Sequence, residues 1–155
     1  MRPIRAELSN KALLHNYALA KAKAPKSQVF AVVKANAYGH GLDWVARTLR
    51  DADAFATLEI DSAIRLRTKG VTQPILMLEG FFGVDELAIF ARHHLTPVVH
   101  NLEQIKAIAD TELEAPLDVF LKFNTGMNRL GLQGGLSGFA VNTAATHRNI
   151  GAVTF

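Results

Sequence analysis

Six short, almost unbroken apolar runs recur along the chain: QVFAVVK (Gln28–Lys34), AFAT (Ala54–Thr57), PILML (Pro74–Leu78), TPVV (Thr96–Val99), LDVFLKF (Leu117–Phe123) and GAVTF (Gly151–Phe155). A strand with one wet face alternates apolar and polar residues. A continuous run reads as a strand buried on both faces, which is the pattern of a parallel sheet. The stretches between the runs carry helical signals instead. Ser9 is a candidate N-cap ahead of Leu13, Leu14, Tyr17 and Ala18, and Pro25 closes that segment. Leu42, Val45, Ala46 and Leu49 form an apolar stripe with Asp43 in its first turn. Further helices are expected over Asp61–Lys69, stopped by Gly70, over Asp85–His94, over Asn101–Ala109 with Asn101 as N-cap, and over Ser137–His147.

Strand and helix alternating at about 20–30-residue spacing means βαβ units with right-handed crossovers. Two architectures use them: an open doubly wound sheet, or part of a (β/α)₈ barrel. A complete barrel takes about 250 residues, and this chain has 155. It also ends on an apolar strand, so a fragment of a larger fold is the expectation. Ile4–Leu8 (IRAEL) alternates apolar and polar. That suits a half-exposed antiparallel strand outside the parallel sheet.

Composition narrows the chemistry. Without cysteine there is no disulfide, thiolate metal ligand or thiol nucleophile. The net charge of +3 is scattered and does not suggest nucleic-acid binding. No apolar run approaches the roughly 18 residues of a membrane span, and the N-terminus lacks a signal-peptide core, so a cytoplasmic location is expected. The six histidines show no metal-ligand spacing, and no metal is expected. Glu59 and Asp61 resemble helix-start acids more than an acid–base pair.

Two stretches carry the candidate chemistry, both where an apolar strand runs into a glycine-bearing turn. The first is VFAVVKANAYGHG, Val29–Gly41. Functional groups gather at the carboxyl ends of strands in α/β folds. Lys34 emerges there from an apolar floor, where desolvation favours a nucleophilic amine able to form Schiff bases. A lysine snorkelling from a strand end would look the same. Tyr38 can offer its hydroxyl to a phosphate or simply cover the sheet end. Gly39 and Gly41 allow close backbone approach, though AYGHG is neither a dinucleotide fingerprint nor a P-loop. The second stretch is LKFNTGMNRLG, Leu121–Gly131. A Lys122 on a barrel's inner face must find an anion or lose its charge. Arg129 offers a planar fork for a carboxylate or phenolate, or else is a surface residue.

Taken together, AVVKANAYGHG (Ala31–Gly41) resembles the pyridoxal-phosphate attachment signature of alanine racemases, and LKFNTGMNRLG resembles the family's second signature. RAELSNKALLHNYALAK resembles its opening. The resemblance runs over essentially the whole chain but over only the first half of such an enzyme. It implies the N-terminal part of a (β/α)₈ TIM barrel, incomplete here. Residues 9–155 would form the cofactor-binding barrel portion, and residues 1–8 would contribute a strand to a C-terminal β domain. It implies pyridoxal 5′-phosphate as cofactor, alanine as substrate, and a homodimer. Lys34 would carry the cofactor as an aldimine and act as one of two bases. Tyr38 would contact the phosphate. Arg129 would face the phenolic oxygen and help place the substrate carboxylate, with Met127 near the substrate. Lys122 would be carbamylated and pair with Arg129. Asn124 stands where the family often has aspartate. The second base, a tyrosine, lies beyond residue 155, so these residues alone are expected to be inactive. Two alternatives stay open: a broad-specificity amino-acid racemase, and a non-catalytic cofactor-binding barrel protein.

Overall fold

The computed structural model describes residues 3–155. Six parallel strands form one sheet in sequential order: β1 (Phe30–Val32), β2 (Ala54–Thr57), β3 (Ile75–Met77), β4 (Leu95–Val99), β5 (Leu117–Leu121) and β6 (Ile150–Thr154). Each connection carries helix: α2 (Lys34–Tyr38) and α3 (Leu42–Thr48), α4 (Ile60–Thr68), α5 (Leu87–His93), α6 (Leu102–Asp110) and α7 (Ser137–Thr146). A first helix, α1 (Asn10–Lys23), precedes the sheet. Sequential parallel order with a helix at every crossover is the winding of a barrel, not of a doubly wound sheet, whose order reverses at a switch point.

The sheet is curled. Phe30 on β1 and Phe120 on β5 meet edge to face with ring centroids 5.7 Å apart. Four strand spacings in a flat sheet would separate them by about 19 Å. Side-chain alternation then sorts the residues into two cores. Phe30, Ala56, Leu76, Leu78, Val98 and Phe120 pack together on the concave side. Val33, Phe55, Ile75, Met77, Val99, Leu117, Val119 and Leu121 face outward, against Val45, Leu66, Leu87, Phe90, Ile105, Ile108 and Ala140 of the helices. Double burial is complete on β2 and β3. It fails at the edges, where Val32 of β1 and most of β6 stay open. Those strands lack a neighbour on one side.

Local signals set the helix ends. The Ala12 amide donates to Ser9 Oγ at 3.2 Å, and the Gln104 amide donates to Asn101 Oδ1 at 2.8 Å. Both caps fall where side-chain acceptors replace the missing helical carbonyls. The helix expected over Asp85–His94 opens instead with a 3₁₀ turn at Val84–Glu86. Ile4–Leu8 is exposed and joins no strand of the described sheet; Met1 and Arg2 of that segment lie outside the described residues.

Candidate active site

Lys34 follows β1 directly. The ladder continues one residue past the strand, where the Val33 amide donates to the Ala56 carbonyl at 2.8 Å. Val33 belongs to the outer core, so alternation assigns Lys34 to the concave side. The chain then does something the sequence does not announce. Ala35, Asn36, Ala37 and Tyr38 all take left-handed helical angles, with φ of 50 to 53°. Each such residue costs an L-amino acid about 1–2 kcal/mol, so the surroundings must enforce the turn. The Ala37 amide donates to the Val33 carbonyl at 2.9 Å, and the buried Ala37 methyl anchors the turn in the outer core. The Gly41 amide donates to the Asn36 carbonyl at 2.9 Å, and Asn36 Oδ1 accepts from the Leu42 amide at 2.8 Å. The reversed turn brings Tyr38 back toward the lysine. Lys34 Nζ lies 6.0 Å from the Tyr38 ring centre, and the phenol stays exposed. Among the described residues Lys34 has no carboxylate partner.

Lys122 follows β5 by the same logic. Leu121 is in the outer core and Phe120 in the inner one, so Lys122 lies a layer above Phe120 on the concave side. Its amide donates to the Val99 carbonyl at 2.9 Å, and its carbonyl accepts from the Leu132 amide at 2.8 Å. The loop between these residues is wound around one side chain. Asn124 Oδ1 accepts from the Gly126 and Asn128 amides, both at 3.0 Å, and Asn124 Nδ2 donates to Asn128 Oδ1 at 2.7 Å. Gly131 closes the loop at φ 124°, where a Cβ would lie 2.6 Å from the Asn124 nitrogen. Asn124 therefore does the acceptor's work of a carboxylate and adds a donated bond that an aspartate lacks.

This loop presents Met127 and Arg129, both exposed. Arg129 lines a cleft of about 620 Å³ with Glu79 and Phe81 from beyond β3 and His100 and Asn101 from beyond β4. No ion pair or hydrogen bond joins Arg129 to Lys122 among the described residues. Lys34 does not line the cleft. The predicted residues thus share the carboxyl-end face without touching: Lys34 and Tyr38 on one wall, Lys122, Met127 and Arg129 four strands away. In an eight-stranded barrel, strands four apart stand opposite each other across the mouth.

Two residues of this face escaped a role in the sequence. Gln104 is buried, donates to the Phe81 carbonyl at 3.2 Å and accepts from the His100 amide at 2.9 Å. It ties together the two loops that wall the cleft; an amide on the apolar side of α6 was its one signal. Glu59 does begin α4, as its type suggests, but its side chain makes no capping bond to that helix. Its Oε2 accepts from the Thr57 hydroxyl at 3.2 Å instead.

The donor set suits pyridoxal phosphate. A primary amine with no carboxylate partner among the described residues and a phenol beside it on a backbone-enforced turn fit an aldehyde and its phosphate. A guanidinium on the facing wall fits an oxyanion.

Comparison with known proteins agrees with this geometry. The family profile described as "Alanine racemase, N-terminal domain" matches residues 8–154. An alanine racemase of Erwinia tasmaniensis is 47% identical over 153 residues, covering 99% of this chain and 43% of the relative. A biosynthetic alanine racemase of Escherichia coli is 50% identical over 125 residues, covering 81% and 35%. Among solved structures, the biosynthetic alanine racemase of Pseudomonas aeruginosa superposes with a TM-score of 0.93 at 40% identity, over 99% of this chain and 43% of that one. The chain spans less than half the length of these relatives.

Proposed function

Because this chain belongs to the alanine racemase family through its N-terminal domain, we propose that the full-length protein interconverts L- and D-alanine on pyridoxal 5′-phosphate held by Lys34. One observation carries the reading. An amine without a carboxylate partner stands at the end of β1, on a strained turn that returns a phenol to its side, facing a loop bearing a guanidinium.

When bound, the cofactor supplies an electron sink for the charge left on the α-carbon after proton loss. The protein supplies position and bases. Lys34 holds the group through its ε-amine. Once the substrate takes that place, Lys34 Nζ is free to take or return the α-proton on one face of the carbon. Inversion needs a second base on the other face, which in this reading is a tyrosine from beyond residue 155. Tyr38 donates its hydroxyl to the cofactor phosphate. Arg129 holds the phenolic oxygen and the substrate carboxylate in its fork. Met127 borders the substrate.

Lys122 acts as a carbamate. The ammonium first gives a proton to solvent, the freed nitrogen lone pair bonds the carbon of carbon dioxide as one C=O π pair moves to oxygen, a second N–H proton leaves to solvent, and the head becomes an anion able to pair with Arg129. That removes a bare cation from the concave side. The protein works as a cytoplasmic homodimer, with residues 1–8 joining a second, β-rich domain.

Borohydride reduction in the presence of pyridoxal phosphate, followed by peptide mapping of the full-length protein, tests the reading. An adduct on Lys34 is expected, and its absence would overturn the assignment. Exchange of the α-proton of alanine, compared with serine, then separates an alanine racemase from a broad-specificity enzyme. An adduct without any exchange marks a binding protein. Isotope-labelled carbon dioxide with carbon NMR tests Lys122, where only a free ammonium would be seen if the proposal is wrong.

A further inference from the structure

We propose that His100 is a positioning residue for Lys122, an inference that rests on the carbamate reading of Lys122 above: the His100 ring, one strand away on the concave face, donates an N–H to the anionic head of Lys122 and holds it toward Arg129.

The ladder between β4 and β5 sets the two residues side by side. Val98 pairs with Phe120, and Val99 with Leu121. The Lys122 amide donates to the Val99 carbonyl at 2.9 Å, so the register runs on past β5 and His100 falls opposite Lys122. Val98 and Phe120 pack in the inner core, Val99 and Leu121 in the outer one. Alternation then assigns His100 and Lys122 to the same concave side, with their backbones about 4.8 Å apart, the spacing of neighbouring strands. A second observation agrees: His100 lines the same cleft as Arg129. His100 thus stands beside Lys122 along the sheet and shares a cleft with the guanidinium.

The backbone of His100 is braced and its ring is not engaged. Its amide donates to Gln104 Oε1 at 2.9 Å, and the buried Gln104 side chain donates in turn to the Phe81 carbonyl at 3.2 Å. The Gln104 amide donates to Asn101 Oδ1 at 2.8 Å, which fixes the residue after His100. Among the described residues the His100 ring makes no hydrogen bond or ion pair. Inventory of donors and acceptors then decides what the ring is for. A Lys122 ammonium offers three donors and no acceptor, and Arg129 offers only donors. Beside them the imidazole N–H has nothing to bond. A carbamate reverses this, because its two oxygens accept, one from each neighbour. The neutral ring carries one N–H, which is enough. Glu79 and Glu103 also line the cleft, but an ionised carboxylate only accepts and cannot hold an anion.

The test uses the full-length protein, isotope-labelled carbon dioxide and three substitutions, H100Q, H100N and H100L. Glutamine puts an amide N–H near the place of the outer ring nitrogen, and asparagine puts one near the inner. Leucine removes the donor. Carbon NMR reads the concentration of dissolved carbon dioxide at which half of Lys122 is carbamylated, at one fixed pH. H100L is expected to need about tenfold more carbon dioxide, the weight of one charge-assisted hydrogen bond. Glutamine or asparagine, whichever matches the donating nitrogen, should restore the wild-type demand, a rescue that a merely structural role would not give. A wild-type demand in H100L would overturn the proposal. So would a demand in both H100Q and H100N as high as in H100L. If H100L fails to fold, the two amides decide against the wild type: a wild-type demand in one supports the proposal, and a tenfold rise in both overturns it. A wild-type protein that shows only a free ammonium would overturn the reading of Lys122, and this inference with it. A carbamate that fills equally in the wild type and every variant would overturn this inference alone.

Discussion

At the scale of single residues, the Arg129 loop depends on Asn124 and Gly131. Asn124 gathers two loop amides on one oxygen, and its own amide reaches Asn128, itself left-handed at φ 57°. An aspartate can keep the two accepted bonds but not the donated one. N124D should therefore cost little stability, whereas N124A should cost about 1–2 kcal/mol. Both are measured by urea unfolding of the full-length protein. G131A is the harsher change. Its φ of 124° is strained for any side chain, and the new Cβ would run into backbone, not into a flexible side-chain end. A loss of about 2–3 kcal/mol is expected, together with weaker cofactor binding because Arg129 shifts. G131A binding the cofactor as wild type does would show that the loop's shape does not matter to the site.

Between elements, polar clamps do what packing does not. No residue of α1 is fully buried; only Leu13 and Tyr17 lean on the core. The helix is pinned near Asp53. The Asp53 amide donates to the Tyr17 hydroxyl at 2.9 Å, and the Asp53 carboxylate accepts from Lys21 Nζ at 2.6 Å and from the Val29 amide at 2.9 Å. The Lys21 ammonium, and after it the Val29 amide, hold the Asp53 carboxyl below its ordinary range. A depressed carboxyl stabilises the fold above its unfolded value, and that support is lost as pH falls through the folded value. Protection of α1 amides against exchange should therefore drop below about pH 4. In D53N the protection should be lower at neutral pH and should lack that acid step. Lys21, raised by its bond to Asp53, works in the other direction: its share persists below the ordinary lysine value and is lost as pH climbs through the raised one. Arg67 is a second clamp. Its guanidinium donates to the carbonyls of Val71, Gln73, His93 and His94 at 2.7 to 2.9 Å, joining the turns that lead into β3 and β4. Among the described residues it has no carboxylate partner, and burial lowers its pKa. R67M leaves those carbonyls unpaired and should cost about 3 kcal/mol, and R67K should recover only part because a lysine lacks the fork.

What the sequence disclosed and what it hid follow from the same distinction between elements. The six strands were legible because double burial leaves unbroken apolar runs, and no strand end moved by more than two residues. The places of Lys34 and Lys122 just past strand ends were legible because each stands at the carboxyl end of an apolar run. The left-handed turn was not, since Ala35 and Ala37 carry no propensity for positive φ. Only the contacts that enforce it, at Val33, Asn36 and the buried Ala37, could have revealed it. Glu59 was read as a helix-start acid because its position fits one; its side-chain partner in the structure is the Thr57 hydroxyl two residues earlier, a local contact that its residue type does not specify.

For the whole molecule, the curl of the sheet decides what these residues can be by themselves. The contact of Phe30 with Phe120 shows that six strands already bend far enough to bring β1 and β5 together. Yet among the described residues β1 pairs only with β2, and β6 only with β5. Each presents a row of unpaired backbone groups on its outer edge, beside apolar surface. Val32 is 41% exposed on β1, and Phe155 is 71% exposed just past β6. Closure of a barrel by further strands would cover both edges at once, whereas an open edge recruits another copy. Residues 1–155 expressed alone should therefore self-associate and bind hydrophobic dyes, while the full-length protein should not. Sedimentation velocity across a concentration series distinguishes the two. The association should weaken when Val32 is replaced by lysine, because a charge on the open edge opposes strand pairing. V32K would stay monomeric in the short form, yet in the full-length protein it would place a cation inside the barrel and cost several kcal/mol. That opposite response separates an edge that awaits its neighbour from a surface that is meant to stay exposed. A monomeric, dye-free short form would show instead that the curl itself, sealed by the Phe30–Phe120 contact, is enough to hide the interior.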